Sequence, residues 1–224
     1  MIKNKITQVV FQTIYCVLAI FGIIGSLGYF VVEFNDDFYL MYTNLSNYIC
    51  IGFMFVSLVY TIKQANKKED GPVTLAPTFK FMCVIMILVT FLVYNFLLAQ
   101  ANGVRHYFTS VPNLTMHLIL PVMFILDWVL FYEHGKVKWY YPLLSLIMPL
   151  VYVAYILIRA GIVHLAHMSV KVLYPYFFLD LGTLGVGGFL GWLFALIVVF
   201  VALGYIIYAL DNLKRWRNKK QKTN

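Results

Sequence analysis

Two short polar stretches carry the residues best suited to chemistry. "YTNLSNYI" (42–49) holds Thr43, Ser46 and Asn47, and "NLTMHLILP" (113–121) holds Asn113 and His117. A threonine hydroxyl is a weak nucleophile and needs a base such as histidine to take its proton. Acyl transfer also needs donors for the oxyanion that develops; Asn47, Asn95 and Asn113 are the candidates. At about 100° per residue Thr43, Ser46 and Asn47 share one arc of a helix, and Asn113, His117, Leu120, Phe124 and Asp127 form one stripe. The structural alternative stands beside this one: Thr43 and Asn113 as helix N-caps, and His117 as an interhelical hydrogen bond.

The elements that must position these residues are apolar runs. A helix that crosses a bilayer needs about 20 mainly apolar residues. Six runs qualify, near 7–32, 41–62, 79–101, 114–132, 139–158 and 189–210. Barrel strands would be about 10 residues long and alternate in polarity, which these runs do not. The expected fold is therefore all-α: a polytopic bundle of six transmembrane helices over residues 1–213, with a basic tail at 214–224. Thr43 and His117 then each lie about one turn in from the same face, matched in depth within roughly 5 Å. Pro121, four residues after His117, cannot donate to the His117 carbonyl, so that carbonyl needs another partner. Asp127 lies about 15 Å further along the fourth run, too far to orient His117; as an intramembrane carboxylate it is a proton- or cation-site candidate or a structural partner of Lys80, Lys136 or a Tyr hydroxyl. Gly22, Gly25 and Gly28, and the pair Gly187 and Gly191, have spacings that suit close helix packing. The polar, Gly-rich stretch 164–188 reads as an interfacial or re-entrant segment.

Composition agrees. The chain has 224 residues, 62% hydrophobic and only 12% charged, with mean hydropathy +0.82. Of the 17 Lys and Arg residues, all but Arg105, Arg159 and Lys171 fall on the side of the N-terminus. Positive charge gathers on the cytoplasmic side, which puts both termini there. The +8 net charge is thus a topology signal, and "KRWRNKKQK" suits anionic inner-leaflet lipid rather than nucleic acid. The first run is too long for a signal-peptide core and is read as retained. Cys16, Cys50 and Cys83 all fall within the runs, with neither a CxxC site nor a disulfide pattern. His164 and His167, with His106 and Asp180 on the same outer side, read as interface residues rather than metal ligands.

"YTNLSN" opening the second run, "NLTMHLILPVMFILDW" opening the fourth, and "YPYFFLD" before the sixth, in that order, resemble the androgen-induced-gene membrane proteins. That family includes the androgen-dependent relative that regulates tissue factor pathway inhibitor, and small bacterial members with six spans. The resemblance covers nearly the whole chain in run number and loop order. It implies an atypical hydrolase of fatty acid esters of hydroxy fatty acids, with an intramembrane Thr nucleophile and a His; by motif position these are Thr43 and His117. The Lys- and Asn-rich composition points to a bacterial plasma membrane.

The expectation is a lipid-ester hydrolase without metal or organic cofactor, its substrate entering from the bilayer. Arg105 and Arg159 are candidates to read a substrate carboxylate. The rival readings are a small transporter or channel using Asp127, and a non-catalytic lipid-binding protein.

Overall fold

The computed structural model describes residues 2–28, 37–65, 71–98 and 111–223, with side chains through residue 213. Among these every regular element is helical. Six helices are long and apolar enough to cross a membrane: α1 (Lys5–Ser26), α2 (Tyr42–Ala65), α3 (Pro77–Phe96), α4 (Val111–Phe131), α5 (Tyr141–Leu165) and α6 (Leu181–Leu213).

Local signals set the ends. Asn4 Oδ1 accepts from the amides of Ile6 and Thr7 at 2.8 and 3.2 Å, which caps α1. Pro77 and Pro142 sit in the first turns of α3 and α5, where a missing N–H costs nothing. Asp180 caps α6 by accepting from the Thr183 amide and hydroxyl.

Helices α1 to α4 form the tight part of the bundle. α1 packs on α2 and α4, and α3 closes the group against α2 and α4. Tyr15, Cys50, Met54, Phe81, Ile85, Leu120 and Phe124 are fully buried between them. A Cβ on Gly22 would lie 2.8 Å from Met116 Sδ and 3.2 Å from Thr115 Cγ2, so this glycine lets α1 approach the start of α4 closely, as its spacing suggested. The GxxxG reading at Gly187 and Gly191 is corrected: a Cβ at either meets nothing within 4 Å.

The end that carries both termini is tied by polar bonds. Lys80 Nζ lies 2.6 Å from Asp127 Oδ2, both buried, and Gln12 Nε2 donates to Asp127 Oδ1 at 3.1 Å. Gln8 exchanges two hydrogen bonds with the Val73 backbone. The turn 132–140 is held to α6 by Asp211, whose Oδ2 accepts from the Gly135 and Val137 amides at 2.9 and 3.1 Å.

Boundaries differ from expectation in the last two helices, and α5 ends at Leu165 rather than near 158. α6 begins at Leu181, not near 189: the Gly-rich stretch is helical, broken only at Gly185 (φ 63°, ψ 174°). The same helix runs on to Thr223, so the basic tail continues α6. α5 is interrupted after Leu144 and resumes at Ile147, because Pro149 withholds a donor from residue 145. Residues 29–32 and 99–101 of the expected first and third runs lie outside the described residues.

Candidate functional site

Thr43 lies in the first turn of α2, at the far end of the bundle from the termini, and is buried. It is inside the helix, so it is not the N-cap; the Met41 carbonyl accepts from the Asn44 and Leu45 amides instead. Its own peptide is the focus of the α2 polar arc. Ser46 Oγ and Asn47 Nδ2 both donate to the Thr43 carbonyl, at 3.1 and 2.7 Å. The Ser46 and Thr90 hydroxyls share a 2.7 Å bond that ties the arc to α3. The Thr43 amide, left over at the helix start, donates to the Tyr176 phenol oxygen at 3.3 Å.

His117 is also buried, on α4, in a π-turn spanning Thr115–Ile119. The Leu120 amide bonds five residues back, to the Thr115 carbonyl, in the wide geometry of a π-turn. Pro121 deprives the His117 carbonyl of its ordinary donor, and Asn95 Nδ2 approaches that carbonyl at 3.4 Å while also donating to the Phe91 carbonyl at 2.7 Å. Asn95 belongs to a second π-turn, Tyr94–Leu98. The Tyr94 ring lies flat on the imidazole, with centroids 3.6 Å apart and 15° between planes. π-turns are rare and concentrate at functional sites; here two meet around one histidine.

α2 packs against the π-turn that carries His117, yet the two expected partners are not joined. Among the described residues no hydrogen bond links Thr43 to His117. Beyond α2, the bonded neighbour of Thr43 is Tyr176.

Thr43 and Tyr176 also line a cavity of about 60 Å³ between α2, α3, α5 and α6. Its exposed walls are apolar, with Val93, Leu150, Leu196 and Phe200 among them. One water needs roughly 10–15 Å³, and apolar cavities stay dry, so this space suits hydrocarbon. His117 is not part of its wall.

The remaining candidates separate. Asn113 is half-buried in the first turn of α4. Arg159 donates from both terminal nitrogens to the Leu173 and Val172 carbonyls, at 3.0 and 3.1 Å, and so staples α5 to the segment before α6. Arg105 lies outside the described residues. Asp127 is bound to Lys80 and Gln12 at the opposite end of the bundle.

Tyr176 was missed as a site residue, although "YPYFFLD" was the signal at hand. Tyr94 was missed because π-turns have no sequence period. Burial pushes the Tyr176 phenol above its ordinary range, and the Thr43 hydroxyl and amide pull it part of the way back; it is an O–H at neutral pH. No protein-family model matches this chain, and neither a curated protein nor a solved structure is significantly similar to it.

Proposed function

We propose that the chain is a membrane-embedded hydrolase of lipid acyl esters, with Thr43 as nucleophile and His117 as base. One observation carries this reading: buried Thr43 lines an apolar cavity, on a helix packed against the π-turn that holds buried His117. The order of the three motifs, which resembles that of the androgen-induced-gene proteins, suits the same reading.

The acyl chain of the ester occupies the cavity and brings the carbonyl carbon to Thr43 Oγ. The oxygen attacks, its proton passes to His117, and the carbonyl electron pair moves onto oxygen. Collapse expels the alkoxide, which takes the proton from His117. A water then repeats the sequence on the acyl-threonine. The proton path between Thr43 and His117 is completed by a water or by substrate closure, since catalytic hydrogen bonds tighten in the complex.

Asp127 gives the transporter reading less support than its sequence position suggested. Lys80 neutralises it, and Gln12 occupies its second oxygen.

The test is hydrolysis of a fluorogenic long-chain acyl ester by the purified protein. Thr43→Ala and His117→Ala should each abolish activity, and the double variant should be little worse than either, because members of a catalytic unit are not additive. Thr43→Ser, which keeps the hydroxyl, should retain activity. A fully active Thr43→Ala of unchanged melting temperature would rule the nucleophile out and favour non-catalytic lipid binding.

A further inference from the structure

We propose that Tyr176 is a catalytic residue of this site, donating its phenol O–H to the oxyanion formed when Thr43 attacks. The inference rests on the hydrolase reading and adds the group that reading lacks.

The asparagines expected in this role are occupied. Asn47 Nδ2 donates to the Thr43 carbonyl, and Asn95 Nδ2 serves the Phe91 and His117 carbonyls. Asn95 and Asn113 are absent from the cavity wall. Tyr152, which does line the cavity, gives its O–H to the Leu40 carbonyl at 2.7 Å. Tyr176 is different: its oxygen accepts from the Thr43 amide, it lines the cavity together with Thr43, and among the described residues no carbonyl takes its O–H. An attacked carbonyl set over Thr43 Oγ has two donors within reach, the Thr43 amide and the Tyr176 hydroxyl. A nucleophile's own amide is a known oxyanion donor.

The resting bond is suited to being exchanged. At 3.3 Å it is longer than the usual 2.7–3.2 Å range, and a hydrogen bond to an oxyanion is roughly twice as strong as one between neutral groups. As negative charge develops, the amide turns from phenol to oxyanion and the phenol O–H joins it; the proton stays on Tyr176 throughout. No reorganisation of the ring is required. It stacks on Phe178 with centroids 4.9 Å apart and 6° between planes, and its edge meets Tyr152. The short helical turn Phe177–Leu179 and the Phe177–Trp192 contact fix the segment on α6. Burial holds the group as a neutral donor, as an oxyanion site needs.

Tyr176→Phe keeps the ring, the stacking and the cavity wall. It should lower kcat for a fluorogenic acyl ester by about 10²–10³-fold, the usual loss for one oxyanion donor, with KM changed by no more than about two-fold. Affinity for a long-chain trifluoromethyl ketone, which forms the oxyanion on attack, should fall by the same factor; affinity for the matching unreactive ether should not. A cap on the Thr43 amide alone predicts a small drop in melting temperature and unchanged kcat, and that outcome overturns the proposal while leaving Thr43 catalysis standing. If the wild-type protein hydrolyses no acyl ester, both readings fall. Should Tyr176→Phe not fold, fluorotyrosine at 176 keeps the shape and makes the phenol more acidic; kcat must then change, and an unchanged kcat overturns the assignment.

Discussion

His134 sits between two acceptors. Its Nδ1 lies 2.8 Å from Asp211 Oδ1 and its Nε2 3.0 Å from the Val129 carbonyl. Neither partner can donate, so only an imidazolium satisfies both bonds. The Asp211 bond raises the His134 pKa above its ordinary value, against the opposing effect of burial; Tyr132 and Trp128 pack against the ring, and Glu133 and Lys136 pair beside it. A raised folded-state pKa gives stability that is complete below the unfolded value and lost as pH rises through the folded one. The melting temperature of detergent-solubilised protein should therefore fall as pH rises above about 6.5, the ordinary histidine value, and His134→Gln should flatten that slope. Identical slopes in both proteins would refute the assignment. Nothing in "EHGKVK" announced this, because Asp211 is distant in sequence. The Pro121 argument was the opposite case: a missing donor is visible in one residue, and Asn95 fills the place it left. Tyr176 was legible as part of a motif but not as a neighbour of Thr43, since their contact closes a loop of well over a hundred residues.

Glycines show how far element packing can be read from spacing. The six helices themselves were plain from apolar length, because only about 20 residues of uniform hydrophobicity are needed. Which face each helix buries was less plain. Gly187 and Gly191 have the spacing of a packing motif and border open space, whereas Gly204, with no partner spacing at all, lies under Pro142: an added Cβ would be 2.9 Å from Pro142 Cβ and 3.1 Å from its Cα. Backbone at that distance cannot yield, so Gly204→Ala should push α5 and α6 apart at a cost of about 1–3 kcal/mol. Gly191→Ala meets nothing and gains up to about 1 kcal/mol of helix propensity. Thermal unfolding should then show the same substitution lowering the melting temperature at 204 and leaving it level or higher at 191. Equal shifts at the two positions would mean that the α5–α6 contact at Pro142 is absent in solution.

At the scale of the molecule the bundle has a tight part and an open part. α1 to α4 enclose most of the fully buried residues, while α5 and α6 bury little of their length. These last two helices meet at Tyr141–Leu144, below Gly204, and further along they are separated by the cavity, with Leu150 and Val153 on one side and Leu193, Leu196 and Ile197 on the other. On the proposed function, an acyl chain enters sideways through that gap and ends at Thr43. The prediction follows from volume. Val153→Phe places a ring in a space of about 60 Å³ without adding a polar group, so it should leave folding intact or raise the melting temperature, as cavity filling does. It should also shorten the acyl chain the site accepts. Measured as kcat/KM, the preference for a long-chain over a short-chain ester should drop by at least about tenfold, equivalent to roughly 1.4 kcal/mol of lost chain contact. If both esters lose activity together, the ring has disturbed Thr43 rather than the chain site. If their ratio is unchanged and both remain active, the acyl chain does not lie between α5 and α6, and the substrate must reach Thr43 by another route.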